Sequence, residues 1–227
     1  MNILKAINNV NYHAKSIKLR NRKPFTISLI ASAVLIDDSI LIGTSGDNAI
    51  RGKFFRYDFS NDKLYWEPYY PIPAIAPGAM FLDDIYKNCS ALKPDGSSIA
   101  VASLFYKRID ILDKAGKLKR AVVFDQEKDP DFSNADSWPP KGSHIFFKSI
   151  SVSQDFIYAL DTDHDVDSRE IIDTVSVIKI SWVENGIPPK IIKLTPKVGN
   201  IVVDEQSKKV YGTNFLSEYI YIYKMDD

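Results

Sequence analysis

The chain has 227 residues, 45% of them hydrophobic, and it carries 29 basic and 29 acidic side chains. Its net charge is therefore zero, which excludes the broad positive field typical of a nucleic-acid-binding protein. The sequence also contains no run of roughly 18 consecutive apolar residues, the length that a membrane-spanning helix needs. We therefore expect a globular protein with neither a nucleic-acid partner nor a transmembrane segment.

Residues 1–24 are predicted to form a separate N-terminal segment with one strand, at 12–19. Basic residues and Pro24 interrupt the alternating pattern after that strand. Residues 1–14 lack the apolar core and the small residues of a secretory signal. We therefore expect the chain to remain in the compartment where it is made, and the sequence does not identify that compartment.

The clearest β-sheet unit lies within residues 88–124, where four short apolar runs alternate with tight turns. Pro94-Asp95-Gly96 supplies the first turn, and Gly116 closes the second. Tight turns favour these residues because the proline ring fixes φ near the value that a turn needs, whereas glycine tolerates a positive φ. Four runs with this punctuation predict a four-stranded antiparallel meander.

Comparable turns recur at intervals of about 50 to 60 residues, the spacing of propeller blades. We therefore predict an all-β fold, a β-propeller of four-stranded antiparallel blades, with about four blades present in one domain over residues 25–227. The predicted blades span about 25–70, 79–124, 143–195 and 196–227. An immunoglobulin-like sandwich is the alternative, but it would not explain why the same turns recur.

The last unit supplies only three predicted strands, so the closure of the ring depends on residues 12–19. That segment could pair with residues 219–223 and close a small ring, or the chain could form an open arc. We favour the incomplete ring, because the packing between blades resists tighter curvature. An arc would leave apolar blade faces uncovered at both ends, which predicts association through them.

A set of strand-centre residues is predicted to form the buried core. Its members are Ile99, Val101, Ile109, Ile111, Phe147, Val152, Ile157, Val177, Ile201, Val203, Val210 and Ile220.

Several segments resemble the TolB-like six-bladed propeller-like family, and the resemblance covers residues 25–227. They are the segments at 52–59, 93–96, 109–113, 202–205 and 210–212. The resemblance implies a propeller, usually of six blades with an export signal that is often of lipoprotein type. It implies no catalytic residue. With about four blades and a plain N-terminus, this chain is similar to the C-terminal two-thirds of such a protein, which predicts a truncated chain.

The acidic segment 161–167 carries an aspartate at every second position and could present carboxylates to a calcium ion. An EF-hand loop, however, requires Gly and Glu where Val166 and Ile172 stand. We therefore predict that the loop 161–167, within an insertion at 161–170, is exposed and solvated and binds no metal ion tightly.

The sequence predicts no catalytic residue, no metal ligand and no cofactor, and it leaves the ligand-binding residues unidentified. The histidines, His13, His144 and His164, are assigned to different units, so they predict no metal centre. Gly43-Thr44-Ser45-Gly46 is predicted to be a loop, since no Gly-x-Ser-x-Gly elbow occurs. Cys89 begins an apolar strand, which predicts a buried and unreactive thiol.

Several aromatic residues would suit a platform on which a carbohydrate stacks. Packing between blades also requires large apolar side chains, and we favour that interpretation. The residues are Trp66, Tyr69, Tyr70, Trp138, Tyr219, Tyr221 and Tyr223.

We predict a non-catalytic binding or scaffold module that recognises a protein, a glycan or another ligand through its loops. The segments 125–142 and 161–170 would build the recognition surface, because propeller loops converge at the two ends of the ring. One alternative is a glycan-active hydrolase or lyase that uses carboxylates at the propeller mouth. Another is a truncated fragment without an independent function.

Overall fold

The computed structural model describes residues 30–37, 39–45, 53–68, 87–124, 142–168, 173–184, 187–214 and 218–225. Every regular element in these ranges is a β-strand, so the predicted all-β class is confirmed. No helix in the described ranges is long and apolar enough to cross a bilayer.

Four antiparallel sheets follow one another along the chain, and in each of them the strands pair in sequence order. Blade 1 contains β1 (Ile30–Leu35), β2 (Ile40–Ser45), β3 (Lys53–Asp58) and β4 (Lys63–Pro68). Blade 2 contains β5 (Asn88–Leu92), β6 (Ser98–Ser103), β7 (Arg108–Asp113) and β8 (Leu118–Val123). Blade 3 contains β9 (His144–Val152), β10 (Phe156–Asp165), β11 (Val175–Ser181) and β12 (Lys190–Leu194). Blade 4 contains β13 (Asn200–Asp204), β14 (Lys209–Thr213) and β15 (Ile220–Lys224).

The predicted turns of blade 2 are confirmed, and their glycines adopt the conformation that the prediction required. Gly96 has a φ of 72° and Gly116 has a φ of 87°. Residues other than glycine rarely adopt such positive values. Asp95 stabilises the first turn, because its Oδ1 accepts a hydrogen bond of 2.9 Å from the Ser97 amide.

The first strands of successive blades lie side by side, which arranges the blades as in a propeller. Between β9 and β13, serine hydroxyls take the place of a backbone ladder. The Ile201 amide donates to Ser149 Oγ at 3.1 Å, and the Val203 amide donates to Ser151 Oγ at 2.9 Å. The inner strands are therefore held together without the sheets merging.

The core lies between the blades, and an inner sheet buries both of its faces. In β10, Ile157 and Ala159 pack with blade 2, whereas Tyr158 and Leu160 pack with blade 4. This double burial explains the nearly continuous apolar sequence of the strand, since neither face meets water. Blades 1 and 2 meet in the same way, with Ile42 against Val101 and its neighbours.

Most of the predicted core is confirmed. Nine of the predicted residues are buried, namely Ile99, Val101, Ile109, Ile111, Phe147, Ile157, Val177, Ile201 and Val210. Val152 and Val203 are partly buried against the same clusters. The prediction for Ile220 is wrong: its side chain is 66% exposed, because it lies on the face of blade 4 that points away from blade 3.

The predicted incomplete ring is confirmed for the described residues, in which blades 1 and 4 do not close on each other. The predicted strand at 12–19 lies outside the described residues, as do the boundary at residue 24 and most of the segment 125–142. The expected open faces differ between the two ends. The free face of blade 4 is exposed at Val202, whereas Phe55 on the corresponding face of blade 1 is fully buried.

The predicted loop at 43–46 is wrong for its described part, because β2 continues through Gly43 to Ser45. A Cβ at Gly43 would overlap the carbonyl oxygen of Ser32. The glycine thus serves the close approach of β1 to β2 rather than a turn.

Candidate functional site

The pairing of β9 with β10 is irregular at one end of blade 3, where β9 begins and β10 ends. We call this the upper end. The ladder is regular from Ile157, opposite Val152, to Leu160, opposite Ser149, and it then shifts twice. Shifts of this kind are β-bulges, which redirect side chains and occur frequently near functional sites.

The first shift leaves Lys148 without a pairing partner in β10. Leu160 pairs with Ser149, and the next residue, Asp161, pairs with Phe147. Lys148 is therefore the extra residue of β9, and its side chain is exposed although the strand around it is mostly apolar. A charged residue within an apolar strand is the sequence signal that could have identified this position.

The second shift places an extra residue in β10. Asp161 pairs with Phe147 and His164 with Ile145, so Thr162 and Asp163 together lie opposite one residue of β9. Asp163 has a φ of 36°, an unusual backbone conformation for a residue other than glycine. The Thr162 hydroxyl secures the bulge, because its Oγ1 lies 2.8 Å from the carbonyl oxygen of Ile145.

A charged network joins the bulge in β10 to blade 2, and we call it the Lys107 cluster (Lys107, His144, Asp161 and Asp163). Lys107 follows β6, and its Nζ lies 3.1 Å from Asp161 Oδ2 and 3.2 Å from Asp163 Oδ2. His144 Nδ1 lies 3.0 Å from the other oxygen of Asp163. The cluster therefore joins two blades through one ammonium group and two carboxylates.

Burial and charge act against each other in the Lys107 cluster. Burial raises the pKa of Asp161 above its ordinary value, although the Lys107 ammonium acts in the opposite direction. Burial alone would lower the pKa of Lys107, but the charges and hydrogen bonds of Asp161 and Asp163 outweigh it and raise that pKa. The lysine thus remains a firmly held cation.

Three further basic side chains are carried by blade 3 and the connection that follows it, and we call them the basic cluster: Lys148 in β9, His164 in β10 and Lys197. Lys197 lies in the connection between β12 and β13. Burial, and then Lys197 and Lys148, lower the pKa of His164. Partial desolvation, and then the Lys197 charge, likewise lower the pKa of Lys148, although the surface area of the residue classes it as exposed. The Lys197 charge thus disfavours the protonated form of both His164 and Lys148.

These findings correct the predicted exposed loop at 161–167. Residues up to Asp165 belong to β10, and the Asp161 residue is only 6% exposed. The sequence could not show this, because the lysine that neutralises Asp161 comes from blade 2. In the part of the chain that the structure describes, no group of three or more His, Cys, Asp or Glu side chains is arranged to hold a metal ion.

The placement of the histidines also differs from the prediction. His144 and His164 lie on neighbouring strands of one blade, in β9 and β10, rather than in different units. His13 lies outside the described residues. Cys89 was predicted to be buried, but it is only partly buried against the core between blades 2 and 3. Desolvation nevertheless raises the pKa of its thiol to about 12, which keeps it protonated at neutral pH.

The described aromatic residues pack mainly within the sheets. Trp66 contacts the buried ring of Phe55, with their ring centroids 6.1 Å apart. Tyr221 and Tyr223 pack at the edge of the interface between blades 3 and 4, whereas Tyr219 is 73% exposed. The core interpretation therefore holds for these residues apart from Tyr219; Tyr69, Tyr70 and Trp138 lie outside the described residues.

Neither a family model nor a curated protein matches the sequence. Among solved structures, the fold is similar to that of a quinonprotein alcohol dehydrogenase-like protein from Bacteroides thetaiotaomicron. The two chains share 10% identity with a TM-score of 0.50, over 93% of this chain and 44% of that one. The Pan2 WD40 domain of Neurospora crassa gives 12% identity and a TM-score of 0.45, over 86% and 52% of the two chains.

A functionally unknown protein from Desulfotomaculum acetoxidans gives 14% identity and a TM-score of 0.47, over 93% of this chain and 60% of that one. The chain spans about half the length of the solved structures that it matches. At such identities the likeness concerns the fold alone. Together with the consecutive meanders, it identifies a fold of the β-propeller type.

Proposed function

We propose that the chain is a non-catalytic β-propeller module that binds a charged ligand, on a protein or a glycan, at the upper end of blade 3. The observation that carries this proposal is the pair of bulges in β9 and β10, which take the charged residues Lys148 and Asp163 out of the regular ladder. Regular strands would pack these positions as they pack the rest of the blade. We also propose that the chain belongs to the TolB-like family, which the propeller fold supports without distinguishing it from other propellers.

The geometry of the Lys107 cluster differs from that of a glycosidase. A glycosidase needs two carboxyl groups on opposite sides of the scissile bond, about 5 to 10 Å apart. Asp161 and Asp163 instead belong to one strand and share the Lys107 ammonium. Both carboxylates are therefore occupied by a cation of the protein itself.

One observation favours the hydrolase as a second candidate. The raised pKa of Asp161 is a property that a general acid requires. The experiment must therefore distinguish binding from cleavage.

An array of glycans and peptides, probed with the fluorescently labelled protein, tests the proposal. We expect His144→Ala/Asp163→Ala to lose at least about tenfold in affinity for the array members that the unmodified protein binds, which is about 1.4 kcal/mol. The matched control is Asp95→Asn, because Asp95 also joins blades 2 and 3 but lies at the opposite end, where Gln154 Nε2 donates to it at 3.0 Å.

Mass spectrometry of the bound array members completes the test. The proposal requires that they are recovered intact. Glycans that are shortened by the unmodified protein but not by Asp161→Asn would establish the hydrolase instead. If the upper-end variant retains full affinity, the ligand binds elsewhere and the proposal is wrong.

A further inference from the structure

We propose that the outer edge of β15 binds the same edge of a second copy of this chain. The two β15 strands would run antiparallel about Tyr221 and join the three-stranded sheets of both copies into one. The contact is made by the backbone at the edge of the sheet rather than by its apolar face. This inference is independent of the proposed function, which concerns blades 2 and 3.

The first argument is that blade 4 lacks a strand that the other blades have. In blades 1 to 3 the third strand pairs with a fourth one: β3 with β4, β7 with β8, and β11 with β12. In the described part of the chain, β15 pairs with β14 alone. The backbone groups at such an edge can bind a further strand.

The second argument is the set of backbone groups that this edge presents. At the end of the ladder, the Met225 amide donates a hydrogen bond of 2.9 Å to the carbonyl oxygen of Lys208. Hydrogen-bonded and non-hydrogen-bonded pairs alternate along an antiparallel ladder, and the pairing of β14 with β15 contains no shift. The backbone groups of Ile220, Ile222 and Lys224 therefore point away from β14, toward the edge.

The third argument is that the sequence of this edge is complementary to itself. Residues 218–224 read Glu-Tyr-Ile-Tyr-Ile-Tyr-Lys. When Tyr221 lies opposite Tyr221 of the second copy, Ile220 lies opposite Ile222 of that copy. Because the backbone groups of both isoleucines point toward the edge, these residues would form hydrogen-bonded pairs on each side of the two-fold axis.

Charge complementarity determines the register of this pairing. Glu218 would lie opposite Lys224 of the second copy, and the two-fold axis would repeat the pair at the other end. Both side chains are exposed, and within the described ranges neither forms an ion pair in a single copy. A shift by two residues in either direction would separate Glu218 from Lys224, so the register about Tyr221 is favoured.

The pairing would also give exposed apolar side chains a cross-strand neighbour. Ile220 and Ile222 are 66% and 59% exposed, and apolar pairs across neighbouring strands stabilise a sheet. Proline, bulges and central charges commonly prevent such edge pairing. The β15 strand has no proline or bulge, and Lys224, its charged residue, lies at its end.

Sedimentation equilibrium over a range of protein concentrations, in low-salt buffer where exposed charges are least screened, tests the inference. We expect a reversible dimer of the unmodified protein. Glu218→Lys and Lys224→Glu should each weaken it at least about fivefold, because two attractive pairs become repulsive. Glu218→Lys/Lys224→Glu should restore the dissociation constant to within about twofold, since it exchanges the two charges and recreates both pairs.

The matched controls are Glu184→Lys and Lys193→Glu, which reverse the same charges at exposed positions of blade 3 and the turn after β11. They should leave the dissociation constant unchanged. Two results would overturn the inference: a monomer at every concentration, as expected if a strand of the same chain covers the edge, or a dimer that the charge exchange does not restore.

Disulfide cross-linking gives a direct readout of the register. Tyr221 would face its own copy in a non-hydrogen-bonded pair, with Cα atoms about 4.5 Å apart, which a disulfide can bridge. Tyr221→Cys should therefore form a covalent dimer in oxidising glutathione. Val202→Cys is the control, because Val202 is 64% exposed but lies away from the edge. Equal cross-linking of both variants would contradict the register.

The cross-linking experiment does not depend on the stability of Tyr221→Cys. If the loss of this partly buried ring prevents folding, a mixture of Ile220→Cys and Ile222→Cys gives the same readout at exposed positions. The mixture should form the covalent heterodimer in preference to either homodimer, and the absence of that preference would overturn the inference. The native Cys89 is common to all variants, and its thiol stays protonated at neutral pH.

Discussion

The two faces of blade 4 differ in exposure although both carry apolar side chains. Ile201 and Val210 face blade 3 and are buried against Tyr158 and its neighbours. Val202, the next residue after Ile201, is 64% exposed on the opposite face. Because consecutive residues of one strand differ in this way, the exposure depends on what covers each face rather than on the strand sequence.

Blade 3 shows what the second face of such a sheet does when it is covered. In β10, Ile157 is buried toward blade 2 and Tyr158 toward blade 4. Blade 4 has the same alternation, but no described sheet covers Val202 and Ile222. The exposed patch therefore has the apolar composition of a blade interface, because blade 4 repeats the residue pattern of a blade that is covered on both faces.

Ile201→Ala is expected to have the largest effect, because it removes buried side-chain volume between blades 3 and 4. The free energy of unfolding should fall by about 2 to 5 kcal/mol. Val202→Ala is the matched control, and it should change the free energy by less than about 0.5 kcal/mol. Urea denaturation with linear extrapolation measures both. Equal losses would show that the outer face is also covered in solution.

Gly212→Ala tests the tightness of the covered face. A Cβ at Gly212 would lie 2.6 Å from Cγ1 of Val198, which is buried in the same interface. Overpacking of this kind should lower the free energy of unfolding by about 1 to 3 kcal/mol. Gly199→Ala is the control, because its nearest atom, the carbonyl oxygen of Thr213, is 3.8 Å away. A harmless Gly212→Ala would mean that the interface is loosely packed.

The sequence was sufficient to predict the turns and the buried strands, because these depend on residues that are close together in the chain. Gly96 and Gly116 mark turns because few other residues accept their φ values. Runs such as β10 predict burial because their apolar side chains occupy both faces. The meanders and most of the core follow from such signals.

The sequence could not reveal what depends on distant partners. Ile220 has the same character as Ile201, and only the absence of a covering sheet makes it exposed. Asp161 was predicted to be solvated because the partner that compensates its burial, Lys107, belongs to another blade. The bulges that create the candidate site shift the pairing register of β9 with β10, and Lys148, a charged residue within an apolar strand, signals only the first of them.

Lysines introduced on the outer face of blade 4, which carries Val202 and Ile222, are expected to affect association of the protein more than its free energy of unfolding. Val202 and Ile222 both align with Tyr211 across the sheet, so they form one continuous row. Val202→Lys/Ile222→Lys should reduce the binding of a hydrophobic dye and any concentration-dependent sedimentation, because it divides an apolar patch. The free energy of unfolding should change by less than about 0.5 kcal/mol.

The control for that experiment is Val183→Lys/Ile191→Lys in blade 3. These side chains are 63% and 62% exposed, so the same charge is added at equally exposed apolar positions. We expect the control to retain the dye binding of the unmodified protein. If both variants behave alike, the row on blade 4 is not a distinct patch.

The smallest expected effect is a pH dependence that belongs to the covered face alone. Glu205 Oε1 accepts a hydrogen bond of 2.9 Å from the Tyr158 hydroxyl in blade 3. Burial would raise the pKa of Glu205, but hydrogen bonds from Ser153, Tyr158 and Lys179 outweigh it and lower that pKa below its ordinary 4.5. The folded state therefore favours the carboxylate, and its contribution to stability is complete above the unfolded pKa.

That contribution should be lost as the pH falls from 4.5 toward the lower pKa of the folded state. The free energy of unfolding of Glu205→Gln should accordingly fall less steeply below pH 4.5 than that of the unmodified protein, as measured by urea titrations at a series of pH values. Glu184→Gln, at an exposed position, controls for the loss of one negative charge. Identical slopes for all three proteins would mean that blade 3 does not hold the Glu205 carboxylate in solution. The difference between the two faces of blade 4 would then depend on apolar packing alone.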